Sequence, residues 1–273
     1  MSPHNINSNI RYRSLSKNPS LSFPNTSQSS SKNRQQTLWV ASACLGPSTS
    51  AEMTLTPTVT GASVVACKFK NGVIIACDTL GSYGSLARFK ELVRVVKANR
   101  TTLMAYDGEV SDFQYIEKYL RDIEQEDGFH EDGLQQGPKD TLTRFARLLY
   151  QRRSKMNPLW NSLVVGGWEE EENRPFLGTT DMIGTMYEED VIATGMGMHM
   201  ALPMLRAGWK PDMSEEEARA LVESCMKVLF YRDCYALNKI TFAVVRSDGL
   251  LKVEDPVELK TEWSYQAFVK PPV

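Results

Sequence analysis

Histidine is scarce, with 3 in the whole chain, and only His130 and His199 lie beyond residue 53. Neither has a partner at metal-ligand spacing, so each reads as a satisfied or exposed imidazole. The chain has no Gly-x-x-x-x-Gly-Lys-Ser/Thr loop, no Gly-x-Gly-x-x-Gly, no His-Glu-x-x-His and no Gly-x-Ser-x-Gly. The sequence signs of phosphate cradles, zinc peptidases and serine-elbow hydrolases are therefore missing. No apolar run approaches the roughly 18 residues of a membrane helix, and no charged-then-apolar leader opens the chain. The 5 cysteines (Cys44, Cys67, Cys77, Cys225 and Cys234) include no Cys-x-x-Cys pair. An odd, scattered set predicts buried free thiols in a reducing compartment.

Acid is missing locally. Between Met1 and Ser50 there is no Asp or Glu, Ser and Asn dominate, and the only basic residues are Arg11, Arg13, Lys17, Lys32 and Arg34. The formal charge of the chain is -2, from 31 basic and 33 acidic residues. Removing the five leaves 26 basic residues against all 33 acids, so the chain from residue 51 onward carries about -7. No basic field invites nucleic acid or an acidic membrane. Residues 1–53 lack apolar periodicity and read as a disordered Ser/Asn-rich extension or prosegment. An acid-free, Arg- and Ser-containing start also resembles a mitochondrial transit peptide, although no amphipathic Arg helix lies within it.

Beyond residue 53 the chain has the patterning of a folded domain. Ala62–Phe69 and Val73–Asp78 are two apolar, β-branched runs, and the Asn71-Gly72 pair between them predicts a hairpin because both residues tolerate positive φ. Neither run alternates apolar with polar, which implies burial on both faces. Further strands are expected at 92–97 and 103–106. One amphipathic helix carries Val110, Phe113, Ile116, Leu120 and Ile123 and is expected to end near Gly128. A second, opened by Pro138, carries Leu142, Phe145, Leu148 and Leu149 and stops before Asn157-Pro158.

Strands return at 162–168, 176–180, 183–187 and 191–194. Ser214 and Glu217 form a capping box for another helix, and a last hairpin turns at Asp248-Gly249. Strands, two helices, strands, one or two helices and strands predict an α+β fold: two stacked sheets covered by helices, a four-layer αββα sandwich over residues 54–261. Residues 262–273 form a C-terminal arm.

Several segments carry a resemblance. Gly61–Val65, Lys68–Asp78, Gly81–Phe89, Tyr150–Asn161, Ala193–Gly197 and Tyr231–Asp233 are similar to proteasome beta-type subunits over about residues 54–265. Tyr150–Asn161 and Gly81–Phe89 resemble the seventh beta class, which is non-catalytic. Active members of this N-terminal nucleophile hydrolase family use a threonine, freed at the start of the first strand, to attack a peptide carbonyl, with its own α-amino group or a lysine-tuned network as base.

The resemblance places that threonine on Ala62. Asp78 matches the strand-end acid, and Gly108 the glycine whose N–H helps form the oxyanion hole. The lysine position is Arg94, which stays protonated and cannot relay a proton. Met196 and Ala236 replace two serines, while Asp233 is kept. The retained Asp78, Gly108 and Asp233 also have a purely structural reading. Thr60 is the alternative nucleophile. In one extended strand it would point to the same face as Ala62 but sit about 6.6 Å away, too far for the same chemistry.

The resemblance implies a structural subunit of the 20S core particle. Its partners would be other proteasome alpha and beta subunits, with no cofactor, in cytoplasm and nucleus, serving ATP- and ubiquitin-dependent proteolysis. Its prosegment would be trimmed in trans, between Met53 and Thr54. Candidate interface residues are Arg152, Arg153 and Lys155, with Trp263, Tyr265 and Phe268 of the arm reaching the opposite ring.

Overall fold

The runs around residue 70 do form a hairpin, and its neighbours explain its composition. In the computed structural model of the protein, the described residues are 57–130 and 136–263. They form fourteen strands: β1 Val59–Gly61, β2 Val64–Phe69, β3 Gly72–Asp78, β4 Gly81–Tyr83, β5 Leu86–Phe89, β6 Val95–Lys97, β7 Thr102–Glu109, β8 Asn161–Glu169, β9 Arg174–Thr180, β10 Met186–Glu188, β11 Val191–Ala193, β12 Lys239–Arg246, β13 Leu251–Val253 and β14 Val257–Glu258. Four helices accompany them: α1 Val110–His130, α2 Pro138–Ser154, α3 Gly197–Gly208 and α4 Glu215–Arg232.

The larger sheet has the order β10-β9-β8-β7-β1-β4-β5, with β6 also on β7. The smaller runs β11-β2-β3-β12-β13, with β14 also on β12. Both are antiparallel throughout.

Strand periodicity divides the core into three apolar layers. Val64, Ala66, Val73, Ile75 and Cys77 turn inward to meet Leu103, Ala105, Val164 and Leu177 of the larger sheet. Val65, Cys67, Ile74 and Ala76 point the other way, onto Ala201 and Leu205 of α3 and Val222, Cys225 and Leu229 of α4. On the far face, Met104, Tyr106, Leu163 and Phe176 pack beneath Phe113, Ile116 and Leu120 of α1 and Leu142, Phe145 and Leu149 of α2. This is the expected αββα sandwich. It also explains why β2 and β3 lack alternation: each face of the smaller sheet meets an apolar layer.

Local expectations fare differently. The β2–β3 ladder closes at Phe69↔Gly72, so Lys70-Asn71 is the turn, and neither Asn71 nor Gly72 has positive φ. Gly72 is needed for another reason: a Cβ there would lie 2.0 Å from the Val245 carbonyl oxygen of β12. Helix α1 passes through Gly128 and ends at His130, two residues on. The Ser214–Glu217 capping box is present, with Ser214 Oγ accepting from the Glu217 amide at 3.3 Å. At the last hairpin, Gly249 has φ +77.

Candidate active site

Ala62 lies where the chain passes from one sheet to the other. Strand β1 belongs to the larger sheet and β2 to the smaller, so Thr60 and Ala62 do not share one continuous strand and the extended-strand spacing does not apply to them. Thr60 is fixed in register with Ser82 on one side and Glu109 on the other. A cleft of about 300 Å³ opens beside this crossing. Thr60, Ala62, Gly108, Met196 and Asp233 all line it, together with Ser63, Asp107, Gly195 and Tyr235. Positions drawn from separate stretches of sequence thus converge. Ala236 sits in the turn beyond α4, its amide donating to the Asp233 carbonyl at 3.2 Å.

Behind the cleft is a buried cation. The Arg94 guanidinium reaches the Asp78 carboxylate and the Ala62 carbonyl in close contacts and donates to the Tyr106 carbonyl at 2.8 Å. Longer contacts of 3.4 Å run to the Ser63 and Asp78 carbonyls, and the guanidinium lies over the Tyr106 ring. A methyl on Gly61 would stand 2.5 Å from Arg94 Nε, so glycine before Ala62 makes room for the guanidinium. Burial works against the Arg94 charge, but Asp78 holds its proton above the ordinary range. Burial pushes Asp78 up to about 6 against the pull of Arg94 and of the Leu237 amide, which donates to Oδ2 at 3.0 Å. Arg94 therefore acts as a multidentate clamp on strand ends.

The other retained positions have local employment. Gly108 has φ +93, and a Cβ there would meet the Trp160 carbonyl oxygen at 2.0 Å. Asp233 caps the end of α4, and its Oδ1 accepts from the Tyr235 amide at 2.9 Å. Met196 stands at the start of α3, 43% exposed, between Gly195 at φ +57 and Gly197.

Sequence reasoning missed the residues that tie this region together. Ser63 Oγ accepts from the Gly197 amide at 2.8 Å, and Thr194 Oγ1 from the Val64 amide at 3.1 Å. Asp107 Oδ1 accepts from the Ser162 amide at 3.1 Å, and burial raises its pKa while bonds to Thr194 and Ser162 and the Arg94 charge oppose the rise. Only short polar side chains beside strand ends could have signalled them.

Chemically the cleft offers little to a peptide carbonyl. Ala62 has no nucleophilic side-chain atom, and its nitrogen is an amide within the chain. The Ser63 hydroxyl is buried and already engaged with Gly197. Among the described residues no group of His, Cys, Asp and Glu could hold a metal ion, and no helix is long and apolar enough to cross a membrane. Cys67, Cys77 and Cys225 are buried free thiols as expected, but Cys234 is exposed; Cys44 lies outside the described residues.

At the end of α2, Arg152 lies over the Tyr115 ring and Arg153 over Tyr150. Lys155 is exposed and caps the helix through its amide. Trp263, half exposed, packs edge-on against Tyr231 at 5.1 Å and Phe230 at 6.0 Å on α4. Met53, Thr54, Tyr265 and Phe268 lie outside the described residues.

Comparison with known proteins gives a consistent result. Residues 58–245 match the family described as proteasome subunit. The chain is 43% identical over 221 residues to "Proteasome subunit beta type-4" of Arabidopsis thaliana, covering 81% of this chain and 89% of that one. It is 40% identical over 218 residues to "Probable proteasome subunit beta type-7" of Schizosaccharomyces pombe, covering 78% and 83%. With "Proteasome subunit beta type-7" of Saccharomyces cerevisiae the identity is 34% over 226 residues, covering 78% and 84%. The same class thus carries the type-4 name in some organisms and type-7 in others.

Proposed function

Because the chain belongs to the proteasome subunit family, and its relatives are beta-type, we propose that it is a non-catalytic member of the beta ring whose work is assembly. It completes the ring beside other alpha and beta subunits of the core particle and leaves peptide hydrolysis to its neighbours. The observation that carries this is the side chain of Ala62, the residue that the resemblance aligns with the nucleophile: it is a methyl group, and Arg94 grips the Ala62 carbonyl. Nucleophile activation needs a hydroxyl or thiol with a base in reach. Here the position of the tuning lysine carries a guanidinium that stays charged and is committed to five acceptors.

Hydrolysis by Thr60 is the second reading. It is disfavoured by the ladder that holds Thr60 between Ser82 and Glu109, since bringing its hydroxyl to the Ala62 position would break both pairings. Treating assembled particles with an electrophilic threonine-directed inhibitor distinguishes the two. We expect adducts on other beta subunits and none on this chain; an adduct on Thr60 would overturn the proposal.

The same vacancy bears on maturation. With no hydroxyl at Ala62 the Gly61–Ala62 bond has no internal cutter, so active neighbours trim the prosegment upstream, between Met53 and Thr54, and residues 54–61 stay attached. Arg152, Arg153 and Lys155 present a basic helix end on an acidic domain and form a contact with an adjoining subunit. The arm beginning at Trp263 reaches a subunit of the opposite ring. The subunit works where the core particle does, in cytoplasm and nucleus.

A further inference from the structure

Strand β1 consists of residues that an active relative would discard, yet here it is central in the larger sheet. Val59, Thr60 and Gly61 pair with Tyr83, Ser82 and Gly81 of β4, and Thr60 and Gly61 also pair with Glu109 and Gly108 of β7. The β4–β5 hairpin joins the sheet through β1. Taking β1 away would therefore unpair the Gly108–Glu109 end of β7, whose same edge is covered further along by β6, and separate Gly81–Phe89 from the sheet.

Glu109 ties down the upstream end. This side chain is 2% exposed, and among the described residues it has no ion-pair partner. Its Oε2 accepts from the amides of Thr58 at 2.6 Å and Val59 at 3.2 Å, and its Oε1 from Ser111 Oγ at 3.1 Å. A buried carboxylate is tolerated when charge-assisted hydrogen bonds replace water. Two of its donors belong to the segment before Ala62, so loss of that segment would strand the carboxylate with Ser111 alone. Gly61 fits the same plan, since any larger residue would collide with Arg94.

We propose that Glu109 is a positioning residue that anchors the retained segment, and that this anchored strand both limits trimming and holds the β4–β5 hairpin in the sheet. The proposal rests on the reading that the segment before Ala62 is retained. Trimming is hydrolysis by an active neighbouring subunit: water adds across the cut amide, leaving a carboxylate on the released peptide and an amine on the subunit. A peptidase needs its substrate locally unfolded and extended. Residues from Thr58 onward are hydrogen-bonded on Glu109 and in two ladders, so cutting stops N-terminal to Thr58.

The test uses particles assembled in cells where the only copy of this subunit is wild type, Glu109→Ala, Glu109→Gln or Ser111→Ala. Intact mass reads the mature N-terminus, and amide hydrogen exchange reads residues 81–89. Wild type should begin upstream of Thr58 with a protected hairpin, and Ser111→Ala, which removes one of the three donors but leaves both from the retained segment, should move less than either Glu109 variant. Glu109→Ala should show a terminus moved to within residues 58–62, or hairpin exchange faster by about tenfold. Glu109→Gln should shift in the same direction, and it carries the test if Glu109→Ala fails to assemble. Variants at Glu109 that match wild type in both readings would overturn the anchor. A wild-type chain beginning at Ala62 would instead overturn the retention on which it rests.

Discussion

At the scale of single residues, the proposed loss of activity turns first on Ala62 and Arg94. In the proposed alignment Ala62 stands where the attacking hydroxyl would be and Arg94 where a titratable amine would be, its guanidinium locked onto Asp78 and the Ala62 carbonyl. On that reading a restored hydroxyl alone is not enough, because catalytic groups that act as a unit fail together and Arg94, Met196 and Ala236 would remain. Ala62→Thr should therefore give no fluorogenic peptide turnover above that of the unmodified particle.

The thiols make a second residue-level prediction. Burial pushes Cys67 and Cys77 up to about 12 and Cys225 to about 11, from 9.0. Iodoacetamide near pH 8 should thus modify exposed Cys234 and spare these three, since only the thiolate reacts; peptide mass mapping reads the result. The folded state keeps protons that the unfolded chain loses above 9.0, so thiol linkage favours the fold fully below that pH and weakens as pH rises toward 11 and 12. Thermal unfolding across this range should fall less steeply in Cys67→Ala than in the parent.

At the scale of elements, backbone proximity sets constraints that side-chain patterns do not carry. Gly108→Ala should destabilise by at least the about 1–3 kcal/mol of a strained left-handed residue, because the new methyl also meets the Trp160 carbonyl oxygen. Denaturant midpoints of the isolated chain measure this. The same distinction separates what was legible in the sequence from what was not.

Long strands and helices with a continuous apolar signal, β2, β3, β7, β8, α2 and α4, announced themselves, and their order implied four layers. Strand β1 did not: Val59–Gly61 has three residues, only partly buried, and its strand character comes from neighbours on both sides. The β4–β5 hairpin was hidden likewise, with β5 exposed along its whole length. Helix α3 carries Pro203 in its interior, which breaks the local helical signal. The convergence of Ala62, Gly108, Met196 and Asp233 was reachable through family resemblance, whereas the roles of Ser63, Asp107, Glu109 and Thr194 depend on contacts across as many as 134 sequence positions.

At the scale of the whole molecule, charge is unevenly placed. The domain from residue 51 is acidic, yet α2 ends in Arg152 and Arg153, which lie over tyrosine rings and, among the described residues, have no carboxylate partner. Reversing both to Glu should leave the unfolding free energy of the isolated chain within the change expected of surface substitutions, about 0.5 kcal/mol. Recovery of partner subunits with the tagged chain should fall at least tenfold. Equal recovery would remove this helix end from the interface.

The small sheet also has a consequence for synthesis. Its β2–β3 hairpin is among the first parts of the domain to leave the ribosome, but β3 pairs with β12 from Asp78↔Ile240 to Gly72↔Arg246. At about 5–20 residues per second the intervening stretch takes on the order of ten to thirty seconds to make. For that time a hairpin built to be apolar on both faces travels without its permanent cover, which is the kind of transiently exposed surface that invites aggregation.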